Sequence, residues 1–179
     1  MIAYVLLTIF HFAFFRRLYF HQPYHGATAE VLETFLGSSR LLGEWLRGYR
    51  RWGDDPYYYA NQTALPFLST CYPPHLLQAY VGSFCSLNGA YRLLIGTMAL
   101  HYWLSSISVY TLLRTWTVFS PCLAGLAALS FSYSVSSVKP TPCLVYTMSW
   151  VPSYLLSMAS HCWWGAGISL GMMLTAGYW

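Results

Sequence analysis

The stretch that decides the fold is LLIGTMALHYWLSSISVYTLL, residues 93–113, which contains no charged side chain and is bounded by Arg92 and Arg114. A helix needs about 20 predominantly apolar residues to cross the hydrocarbon core of a bilayer. The stretch meets that length, and arginines are typical of the ends of a membrane span. The sequence therefore predicts a transmembrane helix at this position.

The charged residues are few and unevenly distributed around this stretch. Only 8% of the 179 residues are charged, against about 25% in an ordinary soluble domain, and the mean hydropathy is +0.43. Every acidic residue lies between Glu30 and Asp55, and the only later charges are Arg92, Arg114 and Lys139. A composition with so few charged residues excludes a disordered chain, a nucleic-acid-binding domain and most water-soluble enzymes. We predict an all-α fold, a polytopic transmembrane helical bundle with an amphipathic interfacial loop region after the first span.

Apolar segments on both sides of the central span give the domain organisation. Residues 1–20 are predicted as a first transmembrane helix, residues 21–75 as an external loop with an amphipathic helix, and residues 76–179 as a multi-span transmembrane region. Besides the central span, the last region is predicted to contain the helices Leu76–Leu87, Phe119–Ser134, Leu144–Ala159 and Trp163–Ala176. Because the final apolar run stops short and has no polar tail, we expect the chain to be truncated at its C-terminus.

The loop after the first span contains an amphipathic pattern over residues 27–52. Apolar side chains recur there at spacings of three, four or six with charged side chains between them, which is typical of a helix with one apolar face. We expect this helix or helix pair, interrupted at Gly37 and Gly43, to lie on the bilayer surface. The alternative is packing on another part of the protein. Further along, Asn88-Gly89 predicts a turn.

The cysteines and three of the histidines fall in apolar sequence. The five cysteines are scattered and none belongs to a CxxC pair, so we interpret them as small buried side chains. His11, His101 and His161 lie within or beside apolar segments. An ionisable side chain inside a membrane is a candidate for function; a neutral histidine bonded to a neighbouring helix is the alternative.

Acid-dependent chemistry is confined to one region, because all carboxylates precede Pro56. General acid–base catalysis and divalent-metal binding normally use carboxylates. Asp54 and Asp55 are the best candidates, since adjacent acids can share a metal or raise the pKa of one of them so that it acts as a base. The alternative is a solvated turn that ends the preceding helix, for which Asp-Asp-Pro is also suitable.

The arginines of the same region suggest a ligand and an orientation. Arg47, Arg50 and Arg51 are three or four residues apart and could form one basic face for a phosphate, or a row that contacts anionic lipid. By the positive-inside rule the short connection at Arg114 is cytoplasmic, which puts residues 16–59 outside. Although that region contains six arginines, we expect it to be external.

A series of short motifs follows the first span. In order they are Trp52, Asp55-Pro56-Tyr57, Leu65-Pro66, Tyr72-Pro73-Pro74-His75-Leu76-Leu77, Leu100-His101, Leu112-Leu113-Arg114, Leu126-Ala127-Ala128-Leu129-Ser130-Phe131-Ser132, Ser149-Trp150-Val151-Pro152 and Leu174-Thr175-Ala176-Gly177. This order resembles the N-terminal portion of the YfhO-type bacterial membrane proteins, a branch of the GT-C-fold integral-membrane glycosyltransferases. The similarity runs from about Trp52 to Gly177, and loosely back to Met1.

The resemblance implies an enzyme of the bacterial inner (plasma) membrane that transfers a sugar from a polyprenyl-phosphate donor in cell-envelope glycan assembly. It implies that an acid of the first external loop, here Asp54 or Asp55, acts as base or metal ligand; a divalent metal is the only cofactor suggested. Tyr72, His75 and the three arginines Arg47, Arg50 and Arg51 would help to hold the lipid phosphate.

The expected partners are the lipid bilayer and a polyprenyl-phosphate-linked sugar, with no nucleic acid. A fragment of such an enzyme is expected to be inactive on its own. Two other interpretations remain open from the residues. One is a non-catalytic polytopic membrane protein, a transporter or an assembly subunit, in which Asp54-Asp55 is only a turn; the other is an inactive fragment.

Overall fold

The computed structural model describes residues 1–20, 36–49, 71–138 and 142–176, and the regular structure in these ranges is helical. In this part of the chain the helices are α1 (Ile2–Phe20), α2 (Gly37–Leu46), α3 (Pro73–Gly82), α4 (Leu87–Trp116), α5 (Pro121–Val138), α6 (Pro142–Ala159) and α7 (Trp163–Ala176). The predicted all-α fold is confirmed for the described residues. Residues 21–35 and 50–70, which include Asp54 and Asp55, lie outside them.

The central span is part of a longer helix than the sequence predicts. α4 begins at Leu87 because the Ser86 hydroxyl oxygen accepts a hydrogen bond of 3.2 Å from the backbone N–H of Gly89. Such a cap satisfies one of the N–H groups that a first helical turn leaves without an intrahelical partner. The turn predicted at Asn88-Gly89 is therefore wrong, since both residues lie in the first turn of α4.

Two helices, α1 and α5, pack on one side of α4. The Tyr4 hydroxyl lies 3.0 Å from Thr111 Oγ1, and His11 Nε2 lies 2.8 Å from Ser106 Oγ. Residue numbers thus rise along α1 as they fall along α4, so the two helices are antiparallel. Ser106 also donates a hydrogen bond of 2.7 Å to Ser132 of α5, which brings α5 to the same side.

Two more helices, α6 and α7, complete what we call the bundle, which consists of α1 and α4–α7. Ser108 and Ser153 share a hydrogen bond of 2.8 Å, and the rings of His101 and Tyr146 lie 4.6 Å apart. In both contacts the two residues are 45 positions apart in sequence. Residue numbers therefore rise together along the two helices, and α6 runs parallel to α4. After the connection at residues 160–162, α7 turns back along α6.

The remaining helices, α2 and α3, form what we call the short-helix pair. Ser39 Oγ lies 2.6 Å from His75 Nε2, and Arg47 Nη1 donates a hydrogen bond of 3.0 Å to the backbone oxygen of Ser83. Both contacts join residues that are 36 apart in sequence, so the two helices are parallel. α3 in turn packs antiparallel against the N-terminal half of α4, because Gly82 lies beside Ala90.

Gly43 makes the close approach of α2 and α3 possible. A Cβ atom at Gly43 would lie 2.6 Å from the Cβ of Ser83 and nearer still to the carbonyl oxygen of Ala79. α2 begins at Gly37, but it continues through Gly43. The predicted interruption at Gly43 is wrong, because tertiary contact overrides the low helix propensity of glycine. The described part of the amphipathic segment packs on α3, and its placement on a bilayer surface stays a prediction.

The prediction that the cysteines are buried is wrong for those the structure describes. Cys71, Cys85, Cys122 and Cys162 are free thiols with exposed side chains. Each lies at or beside the end of a helix, where the neighbouring helices no longer cover the side chain. Apolar character alone does not place a residue in the core when its helix ends there.

By length and composition, one helix among the described residues qualifies as a candidate membrane span. This helix is α4, Leu87–Trp116, and 44% of its qualifying segment is buried inside the protein. The span predicted at residues 93–113 lies within it. The other predicted spans form helices in the structure, and their passage through a membrane stays a prediction.

Candidate functional site

Buried polar side chains gather where the short-helix pair meets the bundle. We call this group the polar centre; its members are Ser39, Tyr72, His75, Gln78, His101, Tyr146 and Trp150. The side chains of Tyr72, His75 and His101 are at most 3% exposed. Because burying a polar group without a partner is costly, the contacts of this group determine how the helices fit together.

One chain of hydrogen bonds in the polar centre has a defined direction. Trp150 Nε1 donates to the Tyr72 hydroxyl at 2.7 Å, and His101 Nδ1 lies 2.6 Å from the carbonyl oxygen of Thr97. A carbonyl can only accept, so Nδ1 carries the proton and neutral His101 accepts at Nε2 from the Tyr72 hydroxyl. Burial raises the pKa of the Tyr72 phenol, and the hydrogen bond from Trp150 opposes that shift. The result is a neutral chain that ties the start of α3 to α4 and α6.

A second set of contacts joins α2, α3 and α6. Gln78 donates from its amide nitrogen to Ser39 Oγ at 3.4 Å and accepts from the Tyr146 hydroxyl at 3.3 Å. The ring of Tyr146 also stacks on that of Tyr72, with centroids 5.1 Å apart. The two sets therefore share one buried volume at the N-terminal half of α3.

His11 forms a separate polar contact on the opposite side of α4. Ser106 gives its proton to Ser132, so it accepts from His11 Nε2, and His11 Nδ1 then accepts from the Tyr133 hydroxyl at 2.7 Å. His11 and His101 are thus neutral histidines bonded to neighbouring helices, as the alternative interpretation of them predicts.

The structure separates the residues that the sequence analysis assigns to a lipid phosphate. Tyr72 and His75 lie at the start of α3 with buried side chains. Arg47 lies at its other end, where it donates to the Ser83 carbonyl and stacks on the rings of Tyr49 and Phe84. The length of α3 separates the two positions by about 15 Å. Arg50, Arg51 and the acidic pair lie outside the described residues, so this assignment stays a prediction.

Sequence reasoning identified some members of the polar centre and missed others. The sequence points to His101, Tyr72 and His75 as candidates. It does not indicate the hydrogen bonds of Ser39, Gln78, Tyr146 and Trp150. A signal for Gln78 does exist, because His75, Gln78, Ala79 and Gly82 recur at spacings of three, four and seven and form the buried face of α3. Partners on other helices carry no such local signal.

Neither a metal site nor a relative emerges from the described chain. Its histidine, cysteine and acidic side chains do not form a group of three or more that could hold a metal ion. No family model matches the chain, and no curated protein or solved structure matches it.

Proposed function

We propose that the protein is a polytopic integral membrane protein in which α1, α5, α6 and α7 cross the bilayer beside α4. The outward surface of the bundle supports this. Leu6 and Ile9 of α1, Leu126 of α5 and Ile168 of α7 are all more than half exposed. On α1 the exposed apolar side chains Ile2, Val5, Leu6 and Ile9 recur at helical spacing and form one stripe. Large exposed apolar surfaces are rare on proteins that face water.

We further propose that the chain is the N-terminal portion of a membrane glycosyltransferase that uses a polyprenyl-phosphate-linked sugar in the bacterial inner membrane. One observation carries the proposal beyond the order of the motifs. The loop after the first span returns to the bundle as α2 and α3, and the segment with Asp54 and Asp55 joins these two helices. The only adjacent pair of acids in the sequence therefore lies in the connection between two helices that pack on each other, one of which, α3, also packs on α4.

In this proposal Asp54 or Asp55 acts as the base or as a metal ligand, and the arginines Arg47, Arg50 and Arg51 attract the lipid phosphate. Tyr72 and His75 contribute from buried positions. Because their side chains bond to His101 and Ser39, they hold the start of α3 in place.

The test of the catalytic assignment is the double substitution Asp54→Asn, Asp55→Asn in the native gene. We expect transfer of sugar to lipid-linked or envelope glycan to fall by about 10²–10⁴-fold, the usual contribution of a general base. Glu44→Gln is the matched control, since Glu44 pairs with Arg40 on the surface of α2 and its loss should leave transfer unchanged. Retained transfer in the double variant, or no transfer that depends on the gene, would overturn the assignment.

A second candidate function, a non-catalytic carrier or assembly subunit, is favoured by the distribution of arginines. On the side where α1 ends and α4 begins, the described chain carries Arg16, Arg17, Arg40, Arg47 and Arg92; at the far end of α4 it carries Arg114. By the positive-inside rule this distribution favours a cytoplasmic short-helix pair. The glycosyltransferase proposal requires the pair to be external, so orientation separates the two functions.

Native cysteines can report that orientation. Cys85 follows α3 on the side of the short-helix pair, whereas Cys162 precedes α7 at the far end of α4, and both are exposed. With single-cysteine variants in intact spheroplasts, the glycosyltransferase proposal expects a membrane-impermeant maleimide to label Cys85 and to reach Cys162 only after permeabilisation. The reverse pattern would exclude the external site and favour the carrier. A variant with only Cys122, at the same end as Cys162, is the internal control.

A further inference from the structure

The outer face of α3 is apolar and exposed. Leu77, Tyr80, Val81 and Phe84 recur at spacings of three, four and seven, and between 39% and 65% of each side chain is accessible. The opposite face of α3 packs on α2 and α4. From Cys71 to Tyr91 the chain has no charged residue. We call these four side chains the α3 outer face.

The other helix of the pair has the opposite character on its surface. α2 carries Arg40 and Glu44, which form an ion pair of 3.6 Å, and the Arg40 side chain is 59% exposed. The pair therefore has one charged side and one apolar side. The buried face of α3 includes His75 and Gln78, so this helix directs apolar side chains outward and polar ones inward, the reverse of a helix that faces water. The two sides of the pair therefore have different expected surroundings.

The far end of α4 fixes one surface of the proposed bilayer. Trp116 ends α4, and Trp163 and Trp164 begin α7 at the same end of the bundle, with all three side chains more than half exposed. Tryptophan is enriched where the hydrocarbon meets the head groups. Counting back about 20 residues from Trp116 at helical rise covers about 30 Å, the thickness of the hydrocarbon core, and reaches Gly96.

The α3 outer face lies just beyond that point along α4. Tyr72 contacts His101 and Gly82 lies beside Ala90, so Leu77 lies at the level of about residue 95 on an antiparallel helix. The rest of α3 extends from there toward Leu87, through a zone that corresponds to the head-group layer of the bilayer.

We propose that the α3 outer face lies in the interfacial layer of the same bilayer that α4 crosses, with the charged side of α2 turned to water. This inference rests on the polytopic membrane assignment and is independent of sugar transfer. Its occupant is lipid, because the face carries no charged side chain of its own and lies at the depth where hydrocarbon meets the head groups. The one charge beside it is the guanidinium of Arg47, which covers the ring of Phe84 at the end of the face nearest the head groups.

The test uses an environment-sensitive fluorophore on single cysteines, introduced into an otherwise cysteine-free chain in lipid nanodiscs. Leu77→Cys probes the α3 outer face, Arg40→Cys probes the charged side of α2, and Ile9→Cys probes the exposed surface of α1 within the bundle. We expect lipids with a quencher near the head group to quench the fluorophore at Leu77→Cys roughly twofold more than that at Arg40→Cys, because a face in the interfacial layer contacts the head groups. Aqueous iodide should show the reverse order. Lipids with a quencher in the middle of the acyl chain should quench Ile9→Cys, because Thr8 contacts Trp103 and His11 contacts Ser106 near the middle of the span.

The three positions separate the possible failures. If lipid quenches Ile9→Cys but not Leu77→Cys, the interfacial inference is overturned and the membrane assignment stands. If the fluorophore at Leu77→Cys is protected from both lipid quencher and iodide, the α3 outer face is covered by protein and the inference is likewise overturned. If lipid quenches none of the three, the membrane assignment itself falls. Val81→Cys repeats the measurement on the same face should Leu77→Cys fail to fold.

Discussion

Replacing Tyr72 by phenylalanine is expected to lower the free energy of unfolding by about 2–4 kcal/mol, since each buried group left without a partner costs about 1–3 kcal/mol. The change removes only the hydroxyl that accepts from Trp150 and donates to His101. The ring keeps its stacking on Tyr146, so the effect isolates the hydrogen bonds from the packing of the aromatic side chain.

The matched control is Tyr80→Phe, because Tyr80 lies on the same helix with its side chain 43% exposed. Its loss of a hydroxyl should change stability by less than about 0.5 kcal/mol. Thermal unfolding of both variants in nanodiscs measures the difference. Equal stability of the two variants would mean that the hydrogen-bond chain through Tyr72 does not hold α3 to the bundle.

Replacing Gly43 by alanine is expected to push α2 away from α3 and to lower the free energy of unfolding by about 1–3 kcal/mol, the usual cost of inserting a methyl group into a packed contact. The new Cβ would meet the backbone of Ala79 and the Cβ of Ser83. Because backbone atoms of a helix cannot rotate away, the helices themselves must separate.

Gly167→Ala provides the comparison for Gly43→Ala. Gly167 is also inside a helix, but a Cβ there has no neighbour within 4 Å, so alanine should be neutral or stabilise by up to about 1 kcal/mol through helix propensity. Limited proteolysis between α2 and α3, together with thermal unfolding, measures both. A Gly43→Ala protein as stable and as resistant as the wild type would contradict the close approach of the pair.

The sequence predicts the helices well where hydropathy alone decides. Trp163–Ala176 is predicted and observed with the same bounds, and the span at residues 93–113 lies inside α4. Local rules fail at Gly43 and at Asn88-Gly89, where an element distant in sequence or a capping serine decides the backbone. At Gly43 the deciding contact is with α3, which no local pattern contains, whereas the cap from Ser86 to Gly89 is a local signal for the start of a helix.

The candidate site is less predictable than the helices for a related reason. His101 stands out because ionisable groups are scarce in this chain, but its partner Tyr72 is 29 residues away, and Tyr72 in turn meets Trp150 across 78 residues. Only the packing of α3 between α4 and α6 brings these side chains together. Asp54 and Asp55 are candidates only because the sequence contains few other carboxylates, and their role stays a prediction.

The parallel arrangement of α2 and α3 has an electrostatic consequence. Each helix carries a partial negative charge of roughly half an electron at its C-terminus, and parallel packing puts the two negative ends side by side. Arg47 follows α2 directly and donates to the Ser83 carbonyl at the end of α3. A single positive charge therefore lies at the negative ends of both helices and stabilises both. A phosphate that reached Arg47 would therefore share one guanidinium with two helix ends.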